Sequence, residues 1–397
     1  MYKKKMSITL DTHLDILKEI VDKQQRLKEL QDYKLHHELF DTVFTILKKK
    51  DLISYGGYAL NALLPKIHKI YKDKTLPDYD CFSSRAKQDA IDIGDYLKSK
   101  GYEYVEVKSG VHEGTYKVYA EYQPVADITQ VSKALFSYLH KNSIVINDIR
   151  ICPSEFLMWS LYKELCRPVG SIHRWEKIYT RYLIFFRQFR FRDKNLKLEN
   201  NKAEYVDLIE KLKNFIKNRE YTVIGHFAVS LHLDTPCKIL SSLYDIDILS
   251  DDIEKTFEEL KKEFGSDLTI KRHITNEFSE IASNTVSILY KETRLCKLYQ
   301  TDSCYSYQKI QTFKVGTIDT VLHFLYGNYM TAMHFNTQQG SLAAAYRKLI
   351  VALEYYSQQE DKADPDKRLR VKCTGYEKTL LNVRKEMWGK RAFVYRP

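Results

Sequence analysis

The sequence predicts an α+β protein built from two tandem α/β units, the second degenerate, joined by a helical connector. Three observations predict it. A short apolar run, Ile53-Ser-Tyr55, enters Gly56-Gly57 and a helix-like segment, and Pro77-Asp-Tyr-Asp-Cys-Phe82 follows. The same order returns in weaker form, with Tyr221-Thr-Val-Ile-Gly-His-Phe-Ala-Val-Ser-Leu231 answering the glycines and Leu243-Tyr-Asp-Ile-Asp-Ile-Leu249 answering the paired acids. Between them, residues 151–202 are helical and aromatic without strand punctuation. The spacing agrees: 22 residues separate Gly56 from Asp78, and 20 separate Gly225 from Asp245. A recurring order at matched spacing is the mark of a duplicated unit.

Taken in order, residues 1–50 place Leu14, Leu17, Ile20, Val21, Leu27, Leu30, Leu39, Val43, Ile46 and Leu47 at helical spacing. They read as one or two amphipathic helices packing on the first domain. Residues 51–150 form that domain. It has the glycine turn, a helix over 58–71, a strand carrying Asp78 and Asp80, and a helix near 84–100 capped by Gly101. Alternating strands follow at 103–107 and 115–122, and then Asp127 in Pro124-Val-Ala-Asp-Ile-Thr129. Residues 151–202 are the connector, with 193–202 as its polar linker. The second unit spans 203–360, with a helix over 253–264 ending at Gly265 and Tyr- and Leu-rich helices from 318 to 356. Residues 361–397 are a basic C-terminal segment, a tail or a nucleic-acid contact.

Composition bounds the partners. The net charge is +11, which favours a polyanion. The 30 tyrosines are either compositional bias or platforms for bases. Seven cysteines without a C-x-x-C pair argue against a zinc site and a disulfide framework. No apolar run approaches a membrane span, so the reading is a soluble protein of a reducing compartment.

The chemistry lies in the order of motifs. With 52 acids in 397 residues, about seven acid-x-acid pairs arise by chance. A strand, Gly-Gly, a helix, an apolar-flanked Asp-x-Asp and a third acid 47 residues beyond Asp80 is far more specific. Glycines let the backbone approach a phosphate and aim N–H groups at it. Alternate residues of a strand share a face, so Asp78 and Asp80 would present two carboxylates there. Hard oxygen ligands of that kind suit Mg²⁺ or Mn²⁺ carrying a triphosphate. Asp127 would be the third ligand, or the base beside the nucleophile, and Lys133 is placed to reach the phosphates. In the second unit His226 stands where the second glycine would be, and Asp302 is the nearby candidate for a third acid.

These residues resemble the nucleotidyltransferase superfamily of DNA polymerase β type. The connector, Tyr162-Lys-Glu-Leu-Cys-Arg-Pro-Val-Gly-Ser-Ile-His-Arg-Trp-Glu-Lys-Ile-Tyr-Thr-Arg181, further resembles poly(A) polymerase catalytic subunits of large cytoplasmic DNA viruses, those of giant amoebal viruses above poxvirus and asfarvirus enzymes. The resemblance implies a catalytic nucleotidyltransferase domain followed by a degenerate nucleotidyltransferase-like one. It implies ATP and Mg²⁺, RNA 3′ ends as substrate, and metal and catalytic roles for Asp78, Asp80 and Asp127, with Gly56, Gly57 and Lys133 binding nucleotide. A homodimer gripping RNA along a basic groove, or a viral processivity partner, would hold the product between additions. The virion and host cytoplasm are the expected location. The alternatives are another RNA nucleotidyltransferase, of tRNA 3′-end or oligonucleotide-synthesising type, and a catalytically dead RNA-binding subunit.

Overall fold

The computed structural model of the chain describes residues 2–110, 112–192, 206–234, 246–272, 278, 280, 281, 284–335, 340–359 and 364–376. The chain divides into two compact units. Among the described residues, one takes residues up to 130 with 144–151, and the other takes 131–143 and those from 152 to 376.

The first unit opens with helix α1, Tyr2–Lys50. Its C-terminal part is core: Leu39, Phe40, Val43, Ile46 and Leu47 are buried. The expectation that the whole N-terminal stretch packs on this unit is corrected, because Leu14, Leu17, Ile20, Val21 and Leu27 stay exposed. Strand β1 (Ile53–Tyr55) runs into helix α2 (Gly56–Leu63). The helix stops short of the expected 71 because Leu64 precedes Pro65 and is held extended, with ψ 143°. Strand β2 (Asp80–Ser83) and helix α3 (Ala86–Ser99) come next, and Gly101 follows α3 with φ +89°. Strands β3 (Glu106–Ser109), β4 (Thr115–Ala120), β5 (Gln123–Gln130), β6 (Ile144–Ile146) and β7 (Ile149–Ile151) complete a seven-stranded mixed sheet of order β3-β4-β5-β2-β1-β7-β6. The β3 strand begins three residues later than the sequence predicts.

The second unit holds helices α4 (Lys133–Asn142), α5 (Ser154–Leu165), α6 (Pro168–Ser171), α7 (Trp175–Phe189) and α8 (Val206–Arg219). Then come β8 (Thr222–Ile224), α9 (Gly225–His232), β9 (Ile246–Ser250), α10 (Ile253–Phe264), β10 (Leu268–Arg272), β11 (Thr285–Tyr290), β12 (Thr293–Gln300), β13 (Tyr305–Ile310) and β14 (Phe313–Gly316). Helices α11 (Ile318–His334), α12 (Gly340–Tyr356) and α13 (Pro365–Arg368) and strand β15 (Cys373–Thr374) close the unit. Its sheet runs β10-β11-β12-β9-β8-β14-β13-β15. Apart from the added β15, that order repeats the first sheet, and each pair keeps its orientation: β2·β5 and β9·β12 are parallel, β4·β5 and β11·β12 antiparallel. Even the hairpin turns agree, with positive φ at Glu121 and Tyr122 and again at Lys291 and Glu292. Two consecutive positive-φ residues match the right-handed twist of the flanking strands.

Two expectations change here. Cys304 and Cys373 form a disulfide that closes β15 onto the sheet edge at β13, so the described part of the C-terminal segment is docked. Arg368 in that segment is buried against Asp319, and donates to the Tyr182 hydroxyl at 3.1 Å. Among the described residues seven tyrosines, Tyr79, Tyr162, Tyr182, Tyr299, Tyr305, Tyr326 and Tyr346, are core residues rather than platforms for bases. Large rings whose hydroxyls find a buried partner fill such interiors well.

Candidate active site

The site starts from one face of the first sheet. Asp80 opens β2 and Asp127 sits mid-way along β5, and the two are Cα partners on adjacent parallel strands. Register partners point to the same face, so two carboxylates meet there, both half-buried. Tyr55 opposes Asp80 on β1 and shares that face. Its ring stacks on Phe82 at 3.8 Å, and its hydroxyl bonds Thr129 at 2.9 Å. Burial, with the Asp80 charge beside it, pushes the Tyr55 phenol well above its usual range, so it stays protonated.

The glycine that opens α2 is dictated by Asp80. Gly56 has φ +64°, and a Cβ there would lie 2.3 Å from Asp80 Oδ2. Any other residue would be strained and would displace the carboxylate. Gly57 is buried at the next position. The N-cap residue Tyr55 places no side-chain bond on the first turn of α2.

Asp78 lies just ahead of β2 and is exposed. Between the two acids, Tyr79 is buried, its ring edge-on to Tyr58 at 5.2 Å and stacked near Phe44 at 6.1 Å. Its carbonyl accepts the Asp127 N–H at 2.9 Å. Tyr79 therefore anchors the Asp-x-Asp segment and ties it to β5. Lys117 on β4 is the register partner of Asp127, and its ammonium pairs with that carboxylate. Burial alone would lower the Lys117 pKa, but the hydrogen bond and charge of Asp127, with smaller help from Tyr119 and Asp78, hold it above the usual value. Lys117 and Tyr79 become legible as site residues only once the register is known. Their sequence signals are a lysine in an alternating strand and an aromatic between two acids. Cys81, on the opposite face, is buried with its thiol pushed up by burial, which makes it inert.

Among the described residues no group of three or more His, Cys, Asp or Glu side chains forms a ready metal cluster. The donor chemistry nevertheless fits a hard divalent cation. Asp80 and Asp127 are oxygen donors on one face, Asp78 lies two residues from Asp80, and the missing Gly56 side chain leaves room for the Asp80 carboxylate. Lys133 is the exposed first residue of α4 and belongs to the other unit.

The second sheet repeats half of this arrangement. Gly225 has φ +68°, and a Cβ there would lie 2.1 Å from Asp247 Oδ2. His226, the counterpart of Gly57, is buried. Asp247 pairs in register not with an acid but with Lys297. The expectation of Asp302 as third acid is therefore corrected: Asp302 lies past the end of β12, where the Tyr305 hydroxyl donates to it. Asp245 lies outside the described residues.

Residues 41–171 match the family model of the poly(A) polymerase catalytic subunit. That stretch contains Gly56, Asp78, Asp80, Lys117 and Asp127. A protein of Acanthamoeba polyphaga mimivirus provisionally named poly(A) polymerase catalytic subunit is 27% identical over 165 residues, 40% of this chain and 28% of that protein. A protein of the same provisional name from African swine fever virus is 28% identical over 143 residues, 36% of this chain and 30% of that one. The chain resembles viral poly(A) polymerase catalytic subunits. The matched stretch spans under a third of the length of these two curated relatives. The fold likeness is wider. The crystal structure of the Megavirus polyadenylate synthase aligns with a TM-score of 0.81, covering 96% of this chain and 85% of that one at 19% identity. At that identity the likeness is one of fold. The stretch that matches the family model, 41–171, is the one that carries the acids.

Proposed function

We propose that this chain is a template-independent poly(A) polymerase that transfers AMP from ATP to RNA 3′ ends. The observation that carries the reading is the register of Asp80 with Asp127, beside a glycine that only Asp80 explains, within the stretch that matches the family. Asp78, Asp80 and Asp127 would hold Mg²⁺ or Mn²⁺, which when bound lowers the pKa of the attacking hydroxyl and neutralises the triphosphate. The rest falls to the chain. Gly56 and Gly57, at the first turn of α2, let phosphate oxygens approach the helix N–H groups. The RNA 3′ oxygen bonds to the α-phosphorus, the bond to the β-phosphate bridging oxygen breaks, and pyrophosphate leaves. Asp127 stands beside the nucleophile, and Lys117 holds it in place before substrates arrive.

The second unit is the degenerate partner in this reading. It keeps the strand order and the glycine against its aspartate, but Lys297 takes the register position of the third acid. The net charge of +11 suits RNA. No helix among the described residues is long and apolar enough to cross a membrane. A homodimer would keep the product in hand between additions, and the virion and host cytoplasm would be its place of action. The test is nucleotide choice. Purified chain with Mg²⁺ and a short oligo(A) RNA should extend with ATP far better than with CTP, GTP or UTP. Equal use of all four, or no extension, would defeat the reading.

A further inference from the structure

We propose that Lys108, on strand β3, is a primer-binding residue: its ammonium takes a backbone phosphate near the RNA 3′ end as that end comes in over β3 and β4 to Asp127. This rests on the adenylyl-transfer reading above and names the side from which its RNA enters.

Five residues line up across the first sheet. Tyr55 pairs in register with Asp80, Asp80 with Asp127, Asp127 with Lys117, and Lys117 with Lys108. They stand on β1, β2, β5, β4 and β3, the order of the strands themselves, and β3 ends the sheet. Register partners share a face, so the whole row lies on the face of the acids. The shift in the β4·β5 pairing comes after Val118 and leaves the row intact. Neighbouring strands are about 4.8 Å apart, which puts the Lys108 backbone about 10 Å from that of Asp127.

The row has a direction. Gly56 and Gly57 follow β1, so the proposed phosphate cradle lies at one end of it. In phosphoryl-type transfer the attacking and leaving oxygens are in line through the phosphorus. With pyrophosphate leaving toward β1, the 3′ hydroxyl comes from the other end, past Asp127. That hydroxyl is attached to a polyanion, and the row residues it crosses on β4 and β3 are Lys117 and Lys108. Lys117 is committed to Asp127. Lys108 is 50% exposed and pairs with Glu106, itself 49% exposed. An ion pair between two such exposed groups contributes little and yields readily to a phosphate. The Lys108 ammonium also sits 5.0 Å from the centre of the Tyr119 ring. Tyr119 is on β4, so the ammonium leans inward from the sheet edge, toward the acids. A lysine ammonium is a compact cation that holds a phosphate as a point charge and leaves the strand free to move on.

The experiment uses the full chain and oligo(A) RNA labelled with a fluorophore at its 5′ end. Anisotropy without ATP gives the primer Kd, and single-nucleotide addition gives kcat and the KM values for primer and ATP. Lys108→Ala should fold as the wild type does and raise the primer Kd and KM about tenfold, with kcat at saturating primer and the KM for ATP unchanged. The slope of log Kd against log salt should become shallower by about 0.7, the value for one phosphate contact on a single strand. Lys108→Arg should restore most of the affinity. A single uncharged methylphosphonate linkage, moved along the primer, should weaken wild-type binding most near the 3′ end, and at that linkage Lys108→Ala should lose nothing further. Unchanged primer binding in Lys108→Ala, beside a wild type that extends RNA, overturns the assignment and leaves the adenylyl-transfer reading standing. A loss confined to kcat or to the KM for ATP, or a matching linkage far from the 3′ end, overturns the path over β3 and β4. A wild type that neither binds nor extends RNA overturns both.

Discussion

The Lys117 ammonium pairs with the Asp127 carboxylate where β4 and β5 are in register, and at the matching point of the second sheet Ser287 faces Lys297. Both hairpins shift register one residue further on, between Val118 and Tyr119 and between Ile288 and Leu289. In the second sheet a lysine stands at the register position that Asp127 holds in the first. In one unit the cation steadies a carboxylate; in the other it replaces one.

Lys117 should therefore matter for the reaction without being a metal ligand. Residues that orient a ligand typically cost about 10–100-fold in activity or metal affinity when lost. Lys117→Met should lower the rate of AMP addition by that order, and Lys117→Arg should recover part of it. Initial rates across a Mg²⁺ series check this. An unchanged Lys117→Met rate would make the ion pair decorative.

The two positive-φ glycines should separate stability from activity. Gly56→Ala and Gly225→Ala each force a Cβ into an aspartate and strain the backbone, costing about 1–3 kcal/mol apiece. Both variants should melt lower. On the proposed assignment of the active site to the first sheet, only Gly56→Ala should also lose AMP addition. Equal loss of specific activity in the two would contradict that assignment.

Asp247→Asn should leave AMP addition largely intact. Its register partner on β12 is Lys297, where the first sheet has an acid. A folded but inactive Asp247→Asn protein would move the active unit to the second sheet.

A pH effect should come from Glu354. Its carboxyl is buried, with Oε1 accepting from the Tyr326 hydroxyl at 2.8 Å and the Tyr162 hydroxyl at 3.2 Å. Burial pushes its pKa from 4.5 up to about 7, despite those two bonds favouring the charged form. Between those values the folded state holds a proton that the unfolded chain gives up. That contribution to stability is full below about 4.5 and is lost as pH rises through about 7. The melting temperature should fall between pH 5 and 8, and Glu354→Gln should flatten that slope. A slope that Glu354→Gln leaves unchanged would remove Glu354 as its source.

Much of this was legible beforehand for physical reasons. The α10 helix runs over 253–264 with Gly265 after it, as its apolar period and terminal glycine require. Gly56 and Asp80 stand out because a glycine before a helix and an acid in an apolar strand are each costly without a reason. What a single sequence does not carry is register. Lys117, Lys297 and Tyr79 acquire meaning only when strands are aligned, since a shift of one residue would turn each side chain to the other face. The Cys304–Cys373 pairing was equally hidden, because partners 69 residues apart leave no local spacing. The exposed α1 stripe has the same periodicity as a packed one, and periodicity does not tell what lies against it.

The central claim is that Asp78, Asp80 and Asp127 form one site for adenylyl transfer. The most direct measurement is single-nucleotide extension of an oligo(A) primer with ATP and Mg²⁺, run on Asp78→Ala, Asp80→Ala and Asp127→Ala beside the wild type, with folding checked by circular dichroism. Each variant should fold and lose at least about 100-fold in rate, since misplaced ligands in such a site cost that much. Wild-type-like extension by any of the three folded variants would contradict it.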